Sequence, residues 1–107
     1  MHQLAETLGP AHLQRLLDTF VDDLLRLTSE IEAAACARDG EDVRRAAHAL
    51  AGAAASVGAV ALERAARCFL APRQGPYPAE LLVQLHREGE ETLRACTALS
   101  ASRPASP

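Results

Sequence analysis

The chain has 107 residues, of which 49% are hydrophobic and 23% are charged, and its formal net charge is −3. This length and apolar share suit one small domain with one compact core, and they exclude a two-domain enzyme with a cleft between its domains. The acidic balance argues against nucleic acid as a partner, since a nucleic-acid-binding face is basic.

Alanine occurs 23 times and leucine 16 times, whereas aromatic residues make up only 3% of the chain. Both are strong helix formers and β-branched residues are scarce, so the composition predicts an all-α fold. The three cysteines, Cys36, Cys68 and Cys96, are odd in number and far apart. We interpret them as small buried hydrophobic residues in a reducing compartment.

The first predicted elements are a short helical turn over residues 1–9 and a long helix that follows it. Gly9-Pro10 separates the two, because glycine suits a helix end and proline suits the first position of the next helix. The long helix is predicted to end near Arg38. Apolar residues recur along it at steps of three and four and form one stripe. They are Leu13, Leu16, Leu17, Phe20, Leu24, Leu27, Ile31 and Ala34.

Three further helices are predicted after the Asp39-Gly40 turn. They run from about Glu41 to Ser56, from about Ala59 to Ala71 and from about Ala79 to Ser100. Gly58 separates the first two of these helices, and the proline-rich stretch 72–78 forms a loop before the last helix. The tail, 101–107, is predicted to be frayed. The predicted core residues of these three helices are Val43, Ala46, Ala47, Leu50, Ala54, Val57, Leu62, Ala65, Ala66, Phe69, Leu81, Leu82, Leu85, Leu93, Cys96 and Leu99.

Four amphipathic helices with short connections bury their apolar stripes best as a bundle. The prediction is therefore one domain over 1–107, an antiparallel four-helix bundle with a short extra N-terminal helix. No apolar stretch of roughly 18 residues lacks charged or strongly polar groups, and no basic region precedes an apolar run at the N-terminus, so neither a transmembrane helix nor a signal peptide is expected.

Metal and nucleophile motifs are absent from the sequence. No histidine follows a glutamate by three residues, which excludes the di-iron pattern of helical bundles. There is no His-Glu-x-x-His, Cys-x-x-Cys, P-loop or Gly-x-Ser-x-Gly motif. We therefore predict neither a metal site nor a cofactor.

His48 is the histidine whose surroundings suggest a function. At about 100° per residue, the core positions of its helix lie on the far side, so the imidazole is predicted to face outward. Its predicted neighbours on that face are Glu41, Arg44 and Arg45 before it and Ala51, Gly52 and Ala55 after it. Glycine inside a helix costs about 1 kcal/mol relative to alanine, so Gly52 suggests close approach by another molecule. Spacing alone equally allows a plain surface histidine on an alanine-rich helix.

The sequence around His48 resembles the signature of histidine-containing phosphotransfer (HPt) domains. That signature reads Ala-His-x-Leu-Lys-Gly, then small residues, Gly-Ala and a leucine. The matching residues are Ala47, His48, Leu50, Gly52, Gly58, Ala59 and Leu62. The Leu8-Gly9 pair, the Leu16-Leu17-x-x-Phe20 stretch and the Asp39-Gly40 turn are also similar, so the resemblance covers nearly the whole chain.

The resemblance implies a phosphorelay intermediate, a phosphoryl carrier and not a stand-alone enzyme. His48 would accept a phosphoryl group from the aspartate of a receiver domain and pass it to another receiver. The partners would be receiver domains of response regulators or hybrid histidine kinases, and Mg²⁺ is expected on the receiver. We expect a cytoplasmic protein without membrane contact, and the abundance of alanine, arginine and proline suggests a bacterial source.

One departure from the family pattern concerns the charge beside His48. The family's lysine three residues after the histidine is Ala51 here. We predict that Arg44 and Arg45, one turn before His48, supply part of the missing positive charge, with Arg64 or Arg67 as further candidates. The phosphate- and partner-binding residues implied around His48 are Arg44, Arg45, Ala51, Gly52 and Ala55. A second departure is Leu70, where the family often has glutamate.

Two alternatives stay open at this point. The first is an HPt-fold interaction module that binds receivers without efficient phosphotransfer, which the loss of the lysine favours. The second is a generic helical adaptor. On the long helix, Leu13, Leu16 and Leu17 belong either to a docking patch or to the core, and His12 and His86 are interpreted as plain surface residues.

Overall fold

The computed structural model of the protein describes residues 9–101, and these residues are helical with no strand. The predicted all-α class with four helices is confirmed for this part of the chain. The predicted N-terminal turn on Leu4, Ala5 and Leu8 and the predicted frayed end beyond Ala101 lie outside the described residues.

Helix α1 comprises Pro10–Cys36 and begins at the predicted break. Gly9 is its N-cap and Pro10 stands at its first position, where the missing N–H of proline is not needed. Seven of the eight predicted stripe residues are buried, and Leu16 is half-buried. The helix ends two residues earlier than predicted, because Arg38 adopts a left-handed φ of 57° and Asp39 N–H bonds back to Ala34 O at 2.9 Å.

Helix α2, Gly40–Val57, is capped at both ends. At its start the Asp39 carboxylate accepts a hydrogen bond from Asp42 N–H at 3.1 Å, and Glu41 and Asp42 stand in the first turn, as helix N-termini favour. At its end Gly58 has φ 75°, a left-handed conformation that glycine adopts without strain. The helix that carries His48 therefore starts and stops at defined residues.

Helix α3 is shorter than predicted. It comprises Val60–Arg67 and passes into a 3₁₀ turn, Cys68–Leu70, so one long helix to Ala71 is wrong. Pro72 explains the difference, because the residue before a proline avoids the helical region, and Ala71 is extended with ψ 138°. In the loop that follows, Tyr77 packs on Phe69, with ring centroids 5.9 Å apart.

Helix α4, Ala79–Ala101, completes the core. Helix α1 packs along α2 and α4, and α3 packs against α2 and α4, while the 3₁₀ turn lies on α2 and α3. In α4, Leu85 and Cys96 are buried as predicted, whereas its other predicted core leucines are only half-buried. No helix in the stretch 9–101 is long and apolar enough to cross a membrane.

The prediction for the cysteines holds at one position only. Cys96 is buried in the core, and this burial raises the pKa of its thiol. Cys36 and Cys68 are exposed, so the expectation that they are buried is wrong. Both stand where a helix gives way to a turn, beyond the apolar stripe of that helix.

Candidate functional site

His48 lies in the middle of α2 with its imidazole exposed to solvent. The opposite face of the helix is anchored in the core through Val43, Ala47 and Leu50, each fully buried. Within residues 9–101 the ring makes no hydrogen bond or ion pair, in contrast to His86, whose Nε2 lies 3.1 Å from Glu32 Oε2. The imidazole of His48 is therefore accessible to another molecule.

A shallow depression in the surface is lined in part by His48. Its lining residues are Glu41, Asp42, Arg44, Arg45, His48 and Leu70. Five of them come from the first half of α2, and Leu70 comes from the 3₁₀ turn. Sequence reasoning attached no mechanism to Leu70, because its place beside His48 depends on how the 3₁₀ turn packs on α2.

On the other side of His48 the surface is made of small residues. Gly52 and Ala55 are exposed, and a Cβ placed on Gly52 would have no atom within 4 Å in the described chain. Internal packing therefore does not require glycine here, although glycine weakens the helix. The open strip of Gly52 and Ala55 allows a partner's backbone to approach α2 closely.

Ala51 does not belong to this exposed surface. The sequence placed it on the same face as His48, but Ala51 is 0% exposed, so that placement is wrong. Helix α2 is covered by α1 on one side and by α3 and the 3₁₀ turn on the other, which makes its buried face wider than a single stripe. Ala51 falls within this wider face, beside Leu50 and Ala54.

The two arginines before His48 differ in their contacts. Arg45 donates from Nη2 to Glu30 Oε1 of α1 at 3.1 Å, and its Nε lies 3.5 Å from Asp42 Oδ1. The hydrogen bond that Arg45 donates to Glu30 is the main cause that raises the pKa of Arg45 above its usual value. Arg44 is exposed and pairs with no residue of the stretch 9–101. Arg44 is thus the cation in the depression that is free to meet an incoming anion.

The other predicted cations lie outside the depression. Arg67 is paired with Glu63 along α3 at 2.8 Å, and Arg64 is exposed, but neither lines the surface around His48. No group of three histidine, cysteine or acidic side chains in the described part of the chain is arranged to hold a metal ion. The charged and titratable side chains that line the depression are His48, Arg44, Arg45, Glu41 and Asp42.

The candidate docking leucines separate into core and surface. Leu13 and Leu17 are buried in the core. Leu16 is half-buried and borders a groove between α1 and α2 together with Ala53 and Ser56. Of the three leucines, Leu16 alone combines a side chain partly open to solvent with a position in this groove.

A comparison with protein-family models identifies the family of the chain. The sequence model of the Hpt domain matches residues 15–96, which include α2 and His48. The match covers more than half of the chain, and the chain belongs to the Hpt domain family. Members are histidine phosphotransfer modules of two-component signalling, phosphoryl carriers and not catalysts, and they interact with receiver domains. No curated protein and no solved structure matches the chain.

Substitution of Gly52 tests whether the packing of the chain itself requires glycine at this position. Replacing Gly52 with alanine is expected to raise the free energy of unfolding by about 1 kcal/mol, because alanine favours the helix and its Cβ meets open space. Denaturant unfolding followed by circular dichroism measures this change.

Gly58→Ala is the matched control. Its left-handed φ of 75° disfavours a side chain, so this variant is expected to lose about 1 kcal/mol or more. A Gly52→Ala protein that is destabilised as much as Gly58→Ala would show that glycine at 52 serves the fold of the chain itself.

Proposed function

We propose that His48 is the phosphoryl-accepting residue of this Hpt domain and that the chain relays the phosphoryl group between two receiver domains. The exposed imidazole of His48, without a partner among residues 9–101 and carried on a helix with two capped ends, supports this proposal most directly. The ring nitrogen of a neutral imidazole that carries no proton is a nucleophile, and an exposed ring can present it to a partner.

The chemical step requires only this chain's imidazole and the partner's phospho-aspartate. The lone pair of His48 Nε2 attacks phosphorus, an N–P bond forms, and the P–O bond to the aspartate breaks. The electrons of the broken bond leave on the aspartate carboxylate, while the ring keeps its proton on Nδ1 during the transfer. Donation to the second receiver is the reverse step with a different aspartate. Mg²⁺ bound by the receiver neutralises charge on the transferring group, and this chain needs no cofactor.

Arg44 is the residue proposed to contact the phosphoryl group on His48, with Arg45 as a second cation. Side chains on a helix lean toward its N-terminus, so the His48 ring leans toward the turn that holds both arginines. Arg44 has no competing carboxylate among the described residues, whereas Arg45 has two. Ala51, which is buried, has no part in binding the phosphoryl group or the receiver.

The receiver is proposed to dock on the outer face of α2 and the adjoining edge of α1. Gly52 and Ala55 leave room for its backbone next to His48, and Leu16 offers an apolar contact in the neighbouring groove.

The proposal includes the antiparallel order of the helices. It is supported by the connection of three residues between α1 and α2, and by contacts that run in opposite directions along α1 and α4, from Leu24 with Gly89 to Glu32 with His86.

A second candidate is an Hpt-fold module that binds receivers without efficient phosphotransfer. The observation that favours it is the absence of a lysine three residues after His48, together with the tying of Arg45 to Glu30. The two candidates differ in whether His48 becomes phosphorylated, and the next experiment separates them.

Phosphorylation of His48 is expected to follow mixing with phosphorylated receiver domains. A panel of receivers is charged with phosphoramidate, freed of the donor and mixed with the chain, whose intact mass is then measured at neutral pH. The wild-type protein gains one acid-labile phosphoryl group, and His48→Gln gains none, because glutamine has no nucleophilic ring nitrogen.

His12→Gln is the matched control, since His12 is also exposed on a helix. This variant is expected to behave as the wild type. If wild-type protein binds a receiver and stays unphosphorylated with every member of the panel, the module without phosphotransfer is the better account.

Replacing both Arg44 and Arg45 with alanine is expected to slow phosphotransfer from a receiver roughly tenfold, the effect of losing a charge-assisted contact to the transferring group. Most of this loss is expected in the single Arg44→Ala variant. Rapid quench followed by intact mass gives the rates. Arg64→Ala removes an exposed arginine outside the depression and serves as the control. Equal rates for Arg44→Ala and Arg64→Ala would contradict the role of Arg44.

A further inference from the structure

Arg45 is the one residue of the depression that also joins α2 to α1 by an ion pair. Its Nη2 donates to Glu30 Oε1 at 3.1 Å, and the second oxygen of Glu30 accepts from Arg26 Nη1 at 2.9 Å. Asp42, one turn earlier on α2, lies 3.5 Å from Arg45 Nε. Two carboxylates thus fix the direction in which the Arg45 guanidinium points.

That direction is opposed to the position of a phosphoryl group on His48. Helical side chains lean toward the N-terminus, so His48 leans toward Arg45, while Arg45 itself leans toward Asp42. Glu30 reinforces this lean from the neighbouring helix. A phosphoryl group on His48 and the carboxylate of Glu30 would therefore compete for one guanidinium, which is the group whose planar fork suits either anion.

We propose that Glu30 is a positioning residue that holds Arg45 away from phosphorylated His48 and so lowers the stability of the phosphorylated state. This inference rests on the proposed function, in which His48 carries the phosphoryl group. A carrier that exchanges its cargo between receivers needs a phosphorylated state that is not too stable, and the Glu30–Arg45 pair would lower that stability from α1.

Sequence reasoning did not find Glu30. It is 15 residues before Arg45 and on a different helix, on the polar face of α1. Only the way α1 packs along α2 brings the two side chains together. Both side chains are substantially exposed, 33% for Glu30 and 57% for Arg45, so the pair is free to rearrange without disturbing the core.

The test measures the equilibrium constant for phosphoryl exchange between the chain and a receiver domain that exchanges with the wild-type protein. This constant is independent of how tightly the two proteins dock, and it is read from intact mass after approach from either side. Glu30→Gln, which leaves Arg45 with the carboxylate of Asp42 alone and keeps the shape of the Glu30 side chain, is expected to shift the equilibrium about threefold toward phosphorylated His48, the scale of an exposed ion pair. The shift should shrink at high salt.

Two further variants decide whether the effect passes through Arg45. In an Arg45→Ala background, Glu30→Gln is expected to change nothing, since the guanidinium that Glu30 holds is absent. Glu32→Gln removes another exposed carboxylate of α1, one paired with His86, and is expected to match the wild type. Thermal unfolding of all variants checks that each is folded.

The outcomes separate this inference from the proposed function. An unchanged equilibrium in Glu30→Gln overturns the inference while His48 phosphorylation stands. A threefold shift that persists without Arg45, or that also occurs in Glu32→Gln, overturns it as well, because the effect is then one of net charge. If no receiver of the panel phosphorylates wild-type His48, the proposed function fails and this inference fails with it.

Discussion

The packing of α2 between α1 on one side and α3 with the 3₁₀ turn on the other sets the geometry of the candidate site. Seven of the 18 residues of α2 are buried, most of them alanines, so neighbouring helices approach it closely along one face. What stays exposed is the opposite face, which carries His48 together with Arg44, Arg45, Gly52 and Ala55. The burial that stabilises the bundle thus also fixes where the imidazole lies and which side chains stand beside it.

The two arginines on this exposed face differ in their contacts, and the difference comes from the fold. Arg44 and Arg45 are adjacent in sequence, but α1 offers a carboxylate to Arg45 alone. Exposed ion pairs of this kind contribute little to stability, yet they decide which cation is free to meet an incoming anion. In a family whose pattern has lysine after the histidine, this chain has a buried alanine there and places its positive charge one turn earlier.

Local patterns in the sequence predicted most of the fold. The steps of three and four in α1 and α2 gave both the helices and their buried faces, because one amphipathic stripe is a property of one helix. His48 was predicted to be exposed for the same reason, and the structure confirms it. The predicted positions of helix ends were less accurate where a turn residue or a proline ends the helix, as with the left-handed Arg38 and the effect of Pro72 on Ala71.

The residues that sequence reasoning misplaced depend on contacts between helices. Ala51 is buried because a second and a third element cover α2, which widens its buried face beyond the stripe. The Glu30–Arg45 pair depends on the register of α1 against α2, and the position of Leu70 beside His48 depends on the packing of the 3₁₀ turn. These are contacts between different helices, and the spacing of residues within one helix carries no information about them. A single sequence without its structure therefore does not predict them.

The proposed relay through His48 is tested by following a phosphoryl group from one receiver to a second. A receiver carrying radiolabelled phosphate is mixed with the chain, and a second receiver of different mass is then added. With the wild-type chain, the label is expected to leave the first receiver, appear on the chain in acid-labile form and move to the second receiver. With His48→Gln, this passage is expected to be abolished. Label that stays on the first receiver although the chain binds both receivers would contradict the account.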